Sequence, residues 1–290
     1  MDGFKLELTP LLLSLGHLLL GIVVLVLAKF TKDWLSPYSI ESELTEKDNP
    51  AFGLALAGYY GAVVIIFISV TRMAPAVDEL STATLLNVYG ADLGWSLLGL
   101  AALAFSRWMM DATLMATTHF SAEIVSGRNT AAGAVECGVY LACGVVLSSV
   151  LREPGGTWIT ILVFFLLSQA TLLLLGRLYS RMVGYDMVGQ IRDKNLAAGV
   201  ALAFTLVAFS LLIAKGTSGE FVSWPVNLSY FAFDAVAGLI LLLFLRWLTD
   251  LALLPNARIA DEIVRDRNVN AGLIEGVVAL GIAFLILFVF

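Results

Sequence analysis

The chain has 290 residues, of which 59% are hydrophobic and only 14% charged, and its mean hydropathy is +0.90. A soluble domain carries about 25% charged residues, so this chain has too little polar surface to cover a water-soluble globule of its size. Its net charge of −6 argues against nucleic acid as a partner. The composition predicts a protein whose main solvent is the lipid bilayer.

Eight apolar segments are long enough to cross a membrane, which takes about 20 mostly apolar residues. In chain order they cover residues 8–29, 51–71, 92–108, 131–151, 157–176, 196–214, 229–247 and 269–290. The runs are continuous and do not alternate, which argues against membrane β-strands. The first run is followed by Lys29, Lys32 and Asp33 without a small-residue cleavage site, so it is predicted to be a membrane helix and not a cleaved signal peptide. The predicted fold is an all-α integral membrane protein.

Lysine and arginine are concentrated in alternate loops. The loops after predicted helices one, three, five and seven carry thirteen of them, and the loops after helices two, four and six carry three. Short cytoplasmic loops are enriched in basic residues. We therefore expect the basic loops in the cytoplasm and both termini on the non-cytoplasmic side.

The second half of the sequence repeats the first at a fixed offset. The stretch AEIVSGRN at 122–129 recurs as DEIVRDRN at 261–268, and Arg107 and Glu136 recur at the same offset as Arg246 and Glu275. Weaker copies at 49–53 and 195–199 keep an Asn-x-x-x-Gly step, whose glycines are expected to pack helices closely. The pattern predicts four tandem helix hairpins that enter and leave on one side, as parallel repeats with a pseudo-twofold axis.

The order of a Glu-Ile pair, a basic residue and an Asn-x-Ala-Ala-Gly helix entry resembles the YjfL-like family of bacterial inner-membrane proteins, whose repeat unit is catalogued as domain of unknown function 350. Members of that family look like two such hairpins, so this chain resembles two units fused, at residues 1–152 and 153–290. The resemblance implies a bacterial inner (plasma) membrane. It also implies an association with cytosolic envelope-stress proteins of the phage-shock type, and it supplies no activity.

The asparagines that open the second helix of each hairpin are candidate site residues, above all Asn129 and Asn268. Asparagine is a favoured helix N-cap, so the alternatives are a repeated cap and a polar ring at a vestibule. Glu136 and Glu275 lie seven residues further on, about 10 Å along a helix. Each is expected either to be a neutral acid that bonds a neighbouring helix or reaches the interface, or to belong to a proton or cation path.

No basic residue shares that depth within the same helices, so a close ion pair is not expected unless another helix supplies one. Arg107 and Asp111, four residues apart, are predicted to form an anchoring pair within their own helix. His17 and Asp234 are two further polar membrane residues. Each is either a hydrogen-bonding group between helices or part of the same path, and histidine exchanges protons near neutral pH.

The cytoplasmic linkers are partly amphipathic, and a short helix is predicted to start at Pro255 and Asn256 with Ile259 and Ile263 on its apolar face. The sequence contains no phosphate loop and no nucleophile–base motif, so an enzyme is not expected. Two distant histidines, together with Cys137 and Cys143 six residues apart in one helix, predict no metal site and no cofactor.

Two functions remain open at this stage. The first is a channel or transporter for protons or small cations that uses the membrane glutamates. The second is a membrane scaffold whose linkers recruit cytosolic envelope-stress proteins. The expected partners are the lipid bilayer, those phage-shock-like proteins and, as a homo-oligomer, further copies of the chain.

Overall fold

The computed structural model describes residues 8–72, 81–114, 120–151, 157–253 and 258–289. Within these ranges the chain forms helices and no strand, and eight of the helices are long and apolar enough to cross a membrane. The eight are α1 (Leu8–Leu35), α2 (Pro50–Thr71), α3 (Thr82–Leu114), α5 (Thr130–Val150), α6 (Trp158–Met182), α8 (Leu196–Gly216), α9 (Trp224–Leu253) and α11 (Val269–Val289). This confirms the all-α membrane fold.

One short element stands between the two long helices of each of the four predicted hairpins. The four elements are a π-helical turn at Ser42–Glu46 and the helices α4 (Phe120–Val125), α7 (Met187–Arg192) and α10 (Ile259–Val264). We call the end of the molecule that carries them the linker face, and the opposite end the loop face. Ile259 and Ile263 are buried, as the amphipathic pattern predicts, while Pro255 and Asn256 lie outside the described residues.

The sequence prediction was least accurate for α3, which begins ten residues before the predicted start at 92. Asn87 and Asp92 lower the local hydropathy, so the first part of this helix was not recognised in the sequence as a membrane segment. The helix accommodates Asp92 because that carboxylate is buried against a partner on α1.

The second helices of the hairpins pack on one another in chain order, α2 on α5, α5 on α8 and α8 on α11. The first helices α1, α3, α6 and α9 pack against this row, and α1 and α9 leave most of their surface exposed. These contacts relate each hairpin to the next one along the chain. They do not test a twofold relation between the two halves, which stays a prediction.

Glycines set the distance between the helices of the row. A Cβ atom added at Gly133, Gly199 or Gly272 would lie within 2.5 Å of a backbone carbonyl oxygen on the preceding helix. The three oxygens belong to Ala51, Ala131 and Ala197. The contact therefore repeats at all three interfaces, which confirms the predicted packing role of the glycines. Gly53 holds the same place on α2, but an added Cβ there would meet nothing within 4 Å, so the predicted packing role is wrong for this glycine.

The asparagines before the second helices join successive hairpins at the linker face. Asn49, Asn129 and Asn195 are N-caps whose side-chain oxygens accept from backbone N–H groups of the first turn. Their amide groups donate to a carbonyl of the next linker, over 3.0, 2.7 and 2.7 Å. The acceptors are Ile124, Ile191 and Ile263. Each asparagine thus satisfies helix N–H groups and a buried carbonyl at once.

A basic residue beside each cap reaches back to the hairpin before it. Arg128, Lys194 and Arg267 adopt φ between 48° and 61°, and each donates to a carbonyl oxygen of the preceding linker. The acceptors are Asp48, Gly127 and Asp193. The first hairpin carries Asp48 at the position where the later copies carry a cation.

Candidate functional site

Glu136 lies on α5, seven residues from the Asn129 cap, and only 5% of its surface is exposed. Arg107 of α3 donates to both carboxylate oxygens, with Nε 3.2 Å from Oε1 and Nη2 3.0 Å from Oε2. The close cationic partner of Glu136 is thus supplied by another helix, the case that the sequence left open. The predicted anchoring pair of Arg107 with Asp111 stays a prediction. The side chain of Asp111 lies outside the described residues.

Lys32 of α1 completes the cluster at Glu136. Its Nζ donates to the Tyr140 hydroxyl over 2.6 Å and lies 4.0 Å from Glu136 Oε1, and its side chain is 16% exposed. The ammonium also lies over the rings of Tyr59 and Tyr140. With Lys32 and Arg107 protonated and Glu136 ionised, the site carries one net positive charge. Such a charge away from water is costly and depends on its hydrogen bonds.

The second half of the chain places Glu275 at the position that corresponds to Glu136. Glu275 is buried on α11, and the Tyr179 hydroxyl donates to its Oε1 over 2.6 Å. A cavity of about 10 Å³ adjoins the pair and is also lined by Thr205 and Leu242, which is space for about one water molecule. Arg246 corresponds to Arg107 by the fixed offset between the halves, and its side chain lies outside the described residues.

Tyr179 occupies the place that Lys32 holds in the first half. Tyr179 stands one position closer to its following cap, Asn195, than Lys32 stands to Asn49, because the third linker is one residue shorter than the first. Each contacts the glutamate of the next hairpin, Lys32 at Glu136 and Tyr179 at Glu275. The glutamates are therefore equivalent in position, and their described partners differ: a lysine ammonium lies near Glu136, and a tyrosine hydroxyl donates to Glu275.

His17 and Asp92 form a second polar contact between α1 and α3, with His17 Nε2 2.9 Å from Asp92 Oδ2. The ring of Tyr89 meets the imidazole edge-on, with centroids 5.1 Å apart. His17 was predicted as a candidate, whereas Asp92 was missed because it was assigned to a helix end. An acidic residue inside an apolar helix was the signal that could have found it.

The other candidates lie apart from these groups. Asp234 on α9 accepts from Lys215 Nζ over 2.7 Å near the loop face. Asn129 is a fully buried cap, and Asn268 donates to Glu262 and accepts from the backbone N–H of Asn270. These contacts favour the cap interpretation for both asparagines over a vestibule ring.

Lys32 and Arg107 were absent from the predicted site because they were counted as loop charges. Each ends an apolar run in the sequence, and the folding of α1 and α3 beside α5 turns both toward Glu136. One signal was available for the arginine. The spacing between this arginine and the glutamate is the same in both copies, at positions 107 and 136 and at positions 246 and 275.

Two long stretches of the chain match the same family model. Residues 6–151 and residues 155–290 each match DUF350, a Domain of Unknown Function. The chain belongs to the DUF350 family. It contains two tandem DUF350 units, which confirms the predicted fusion, while the YjfL-like subgroup stays a prediction. No curated protein and no solved structure matches the chain.

Proposed function

We propose that this DUF350 protein carries protons across the membrane through the cluster of Lys32, Arg107, Glu136 and Tyr140. One observation carries the proposal: Glu136, buried within the apolar helix α5, bonds Arg107 and lies 4.0 Å from Lys32. Ionisable side chains inside a membrane are costly and commonly mark ion or proton paths. Here three ionisable side chains meet from three helices, and the packing of the helices alone does not require such a site.

The chemistry of the cluster favours protons over small cations. Arginine stays protonated in proteins, so Arg107 is a fixed positive charge beside the carboxylate. A metal cation that approached Glu136 would meet Arg107 and Lys32 as like charges. A lysine and a carboxylate held near each other can instead pass a proton between them, and buried lysines change protonation readily.

The side chain of Lys32 is the group at which protons would enter the cluster from the linker face. It is partly exposed, lies near the linker-face end of α1 and already donates to the Tyr140 hydroxyl. In the proposed orientation the linker face is cytoplasmic and the membrane is the bacterial inner membrane, so protons would exchange with the cytoplasm at Lys32. Arg107 holds Glu136 in place and is a positioning residue.

The test is proton flux in liposomes that contain the purified full chain and an internal pH-sensitive dye, with a potassium gradient and valinomycin to set the voltage. Glu136→Gln and Lys32→Met are expected to lower the flux by at least about tenfold. Lys29→Met is the matched control, since it removes a positive charge one turn earlier on α1, outside the cluster. Flux that persists in Glu136→Gln would remove this residue from the mechanism.

Parallel measurements of sodium and potassium uptake separate the two ion classes. Uptake of either ion that depends on Glu136, without proton flux, would favour the small-cation alternative. Size-exclusion profiles and thermal melting of each variant in detergent establish that a loss of flux is not a loss of folding.

The second candidate function is a scaffold for cytosolic envelope-stress proteins. The observation in its favour is the charged surface around α10, where Arg265 is 73% exposed in its side chain and pairs with Asp266. Short helices of this kind can dock partners. Crosslinking and pull-down from native membranes test it, with the charges of Arg258, Asp261, Glu262 and Arg265 reversed. Partners that stay bound to that variant would exclude this surface as the platform.

A further inference from the structure

Two polar levels occupy the contact between α1 and α3. His17 and Asp92 form one level, and Lys32 and Arg107 belong to the other. The spacing from His17 to Lys32 on α1 equals the spacing from Asp92 to Arg107 on α3, and it amounts to about 22 Å of helix at 1.5 Å per residue. Both helices end at the linker face. The equal spacing therefore places the two titratable levels at two depths along the contact between α1 and α3, which we call the α1–α3 seam.

The second DUF350 unit carries other residues at the positions of His17 and Asp92, the level nearer the loop face. Phe231 corresponds to Asp92 by the fixed offset between the halves. Phe164 corresponds to His17 when α6 is aligned on α1 so that Tyr179 matches Lys32. The two phenylalanine rings face each other with centroids 6.1 Å apart, where the first unit has its imidazole and carboxylate. Phenylalanine has no proton to exchange.

The second unit has an ion pair of its own, but at different positions. Lys215 corresponds to Ser69 when α8 is aligned on α2 by their asparagine caps, and Asp234 corresponds to Trp95 by the fixed offset. The contact between Lys215 and Asp234 joins the last turn of α8 to α9 near the loop face. This contact joins α8 to α9 locally and is not equivalent to the pair of His17 and Asp92 between α1 and α3.

We infer that the first DUF350 unit alone carries protons, with His17 and Asp92 as its exchange site on the loop-face side and the second unit as its structural support. This inference rests on the proposed proton transport. The two units thus share one architecture, and among the described residues only the first has a histidine–carboxylate pair between its two first helices, whereas the ion pair of the second unit joins α8 to α9.

The chemistry of the pair suits proton exchange with the loop-face side. The His17 side chain is 21% exposed and that of Asp92 is 5% exposed, so the imidazole is the more accessible group. The ionisable groups that face His17 in the described contacts are Asp92 and Tyr89, both on α3. On the α2 side, Phe67 lies against α1 at Gly21.

An apolar layer separates the two levels. Val24 and Leu100, midway along the two helices, are buried, and Ile66 of α2 lies where a Cβ of Gly99 would be. Apolar constrictions of this kind gate conduction by excluding water. The layer would block protons at rest and pass them when water enters the seam.

The test uses the same flux measurement with paired variants in the two units. Asp92→Asn and His17→Gln preserve shape, and the double variant His17→Phe, Asp92→Phe installs the aromatic pair of the second unit. We expect all three to lower proton flux by at least about tenfold. Asp234→Asn is the matched control, because it removes an ion-paired carboxylate from the second unit, and Glu275→Gln is expected to retain flux.

The possible outcomes are distinct. If Glu136→Gln abolishes flux while Asp92→Asn and His17→Gln conduct like the wild type, proton transport stands and the loop-face exchange site is wrong. If Glu275→Gln is as inactive as Glu136→Gln, both units work and the assignment to the first unit is overturned. A wild-type chain without flux overturns transport and this inference together.

A pH profile adds a readout that a structural role would not move. If His17 exchanges protons with the loop-face side, flux through His17→Gln is expected to respond less to the pH on that side than flux through the wild type. A profile identical to that of the wild type would contradict proton exchange at His17. The shape-preserving variants carry the test if the phenylalanine double variant does not fold.

Discussion

Arg107 on α3 and Glu136 on α5 form a two-point ion pair within the second hairpin, through contacts of 3.2 and 3.0 Å. Removal of one partner leaves the other charge buried, which costs about 3–5 kcal/mol, whereas removal of both is far milder. We therefore expect Glu136→Gln, which leaves Arg107 and Lys32 as two neighbouring cations, to lower the melting temperature in detergent more than the double variant Arg107→Met, Glu136→Gln. A double variant as unstable as the sum of its singles would show that the pair is not coupled.

The glycine step gives a second prediction. Gly199→Ala places a methyl group 2.5 Å from the Ala131 carbonyl oxygen, so α5 and α8 must separate. We expect a loss of about 1–3 kcal/mol, measured as earlier thermal unfolding. Gly53→Ala is the control because its Cβ would meet nothing within 4 Å, and the smaller backbone freedom of alanine favours the helix there. Equal effects of the two substitutions would contradict the repeated step.

The asparagine contacts differ between the middle and the end of the chain, which gives a third prediction. Asn129→Ala removes a cap and the bond to the Ile191 carbonyl, and both are buried. Asn268 opens the last helix, and its amide bonds Glu262 of its own linker. We expect Asn129→Ala to cost about 1–3 kcal/mol and Asn268→Ala less. Thermal melting together with limited proteolysis at the linkers checks this order.

The fourth prediction concerns pH. Burial opposes ionisation of Glu43, but hydrogen bonds from Lys47 and Asn49 outweigh it and hold the pKa of this linker carboxyl below its ordinary value. A lowered folded pKa adds stability above the unfolded pKa, and that stability is lost as pH falls through the folded value. Melting temperature should therefore drop as the medium is acidified, and Glu43→Gln should flatten this acid limb. Glu46→Gln, at an exposed position, is the control.

Much of the fold was predictable from sequence because bilayer thickness fixes the length of an apolar run. The similarity between the two halves is also still recognisable in the sequence. The cluster was only half predictable. Glu136 stands out as an acid in an apolar helix, but its partners Lys32 and Arg107 lie on other helices, far from it along the chain. Hydropathy assigns both to helix ends, and only the packing of α1 and α3 against α5 brings them to the carboxylate.

Orientation is the last prediction, and it follows from the uneven distribution of lysine and arginine. The loops after predicted helices one, three, five and seven carry thirteen of these residues, and those after helices two, four and six carry three, so the linker face is expected in the cytoplasm. Single cysteines at the exposed positions Ser126 and Asp266 on the linker face, and at the exposed Ser218 near the loop face, report the side when intact cells are treated with an impermeant thiol reagent. Cys137 and Cys143 are first replaced by alanine, so that the introduced thiol gives the signal. We expect labelling from outside at 218 only, and labelling at 126 and 266 only after the membrane is opened. The reverse pattern would place Lys32 and Glu136 near the outer surface, so that protons would meet the cluster from outside the cell and His17 from within.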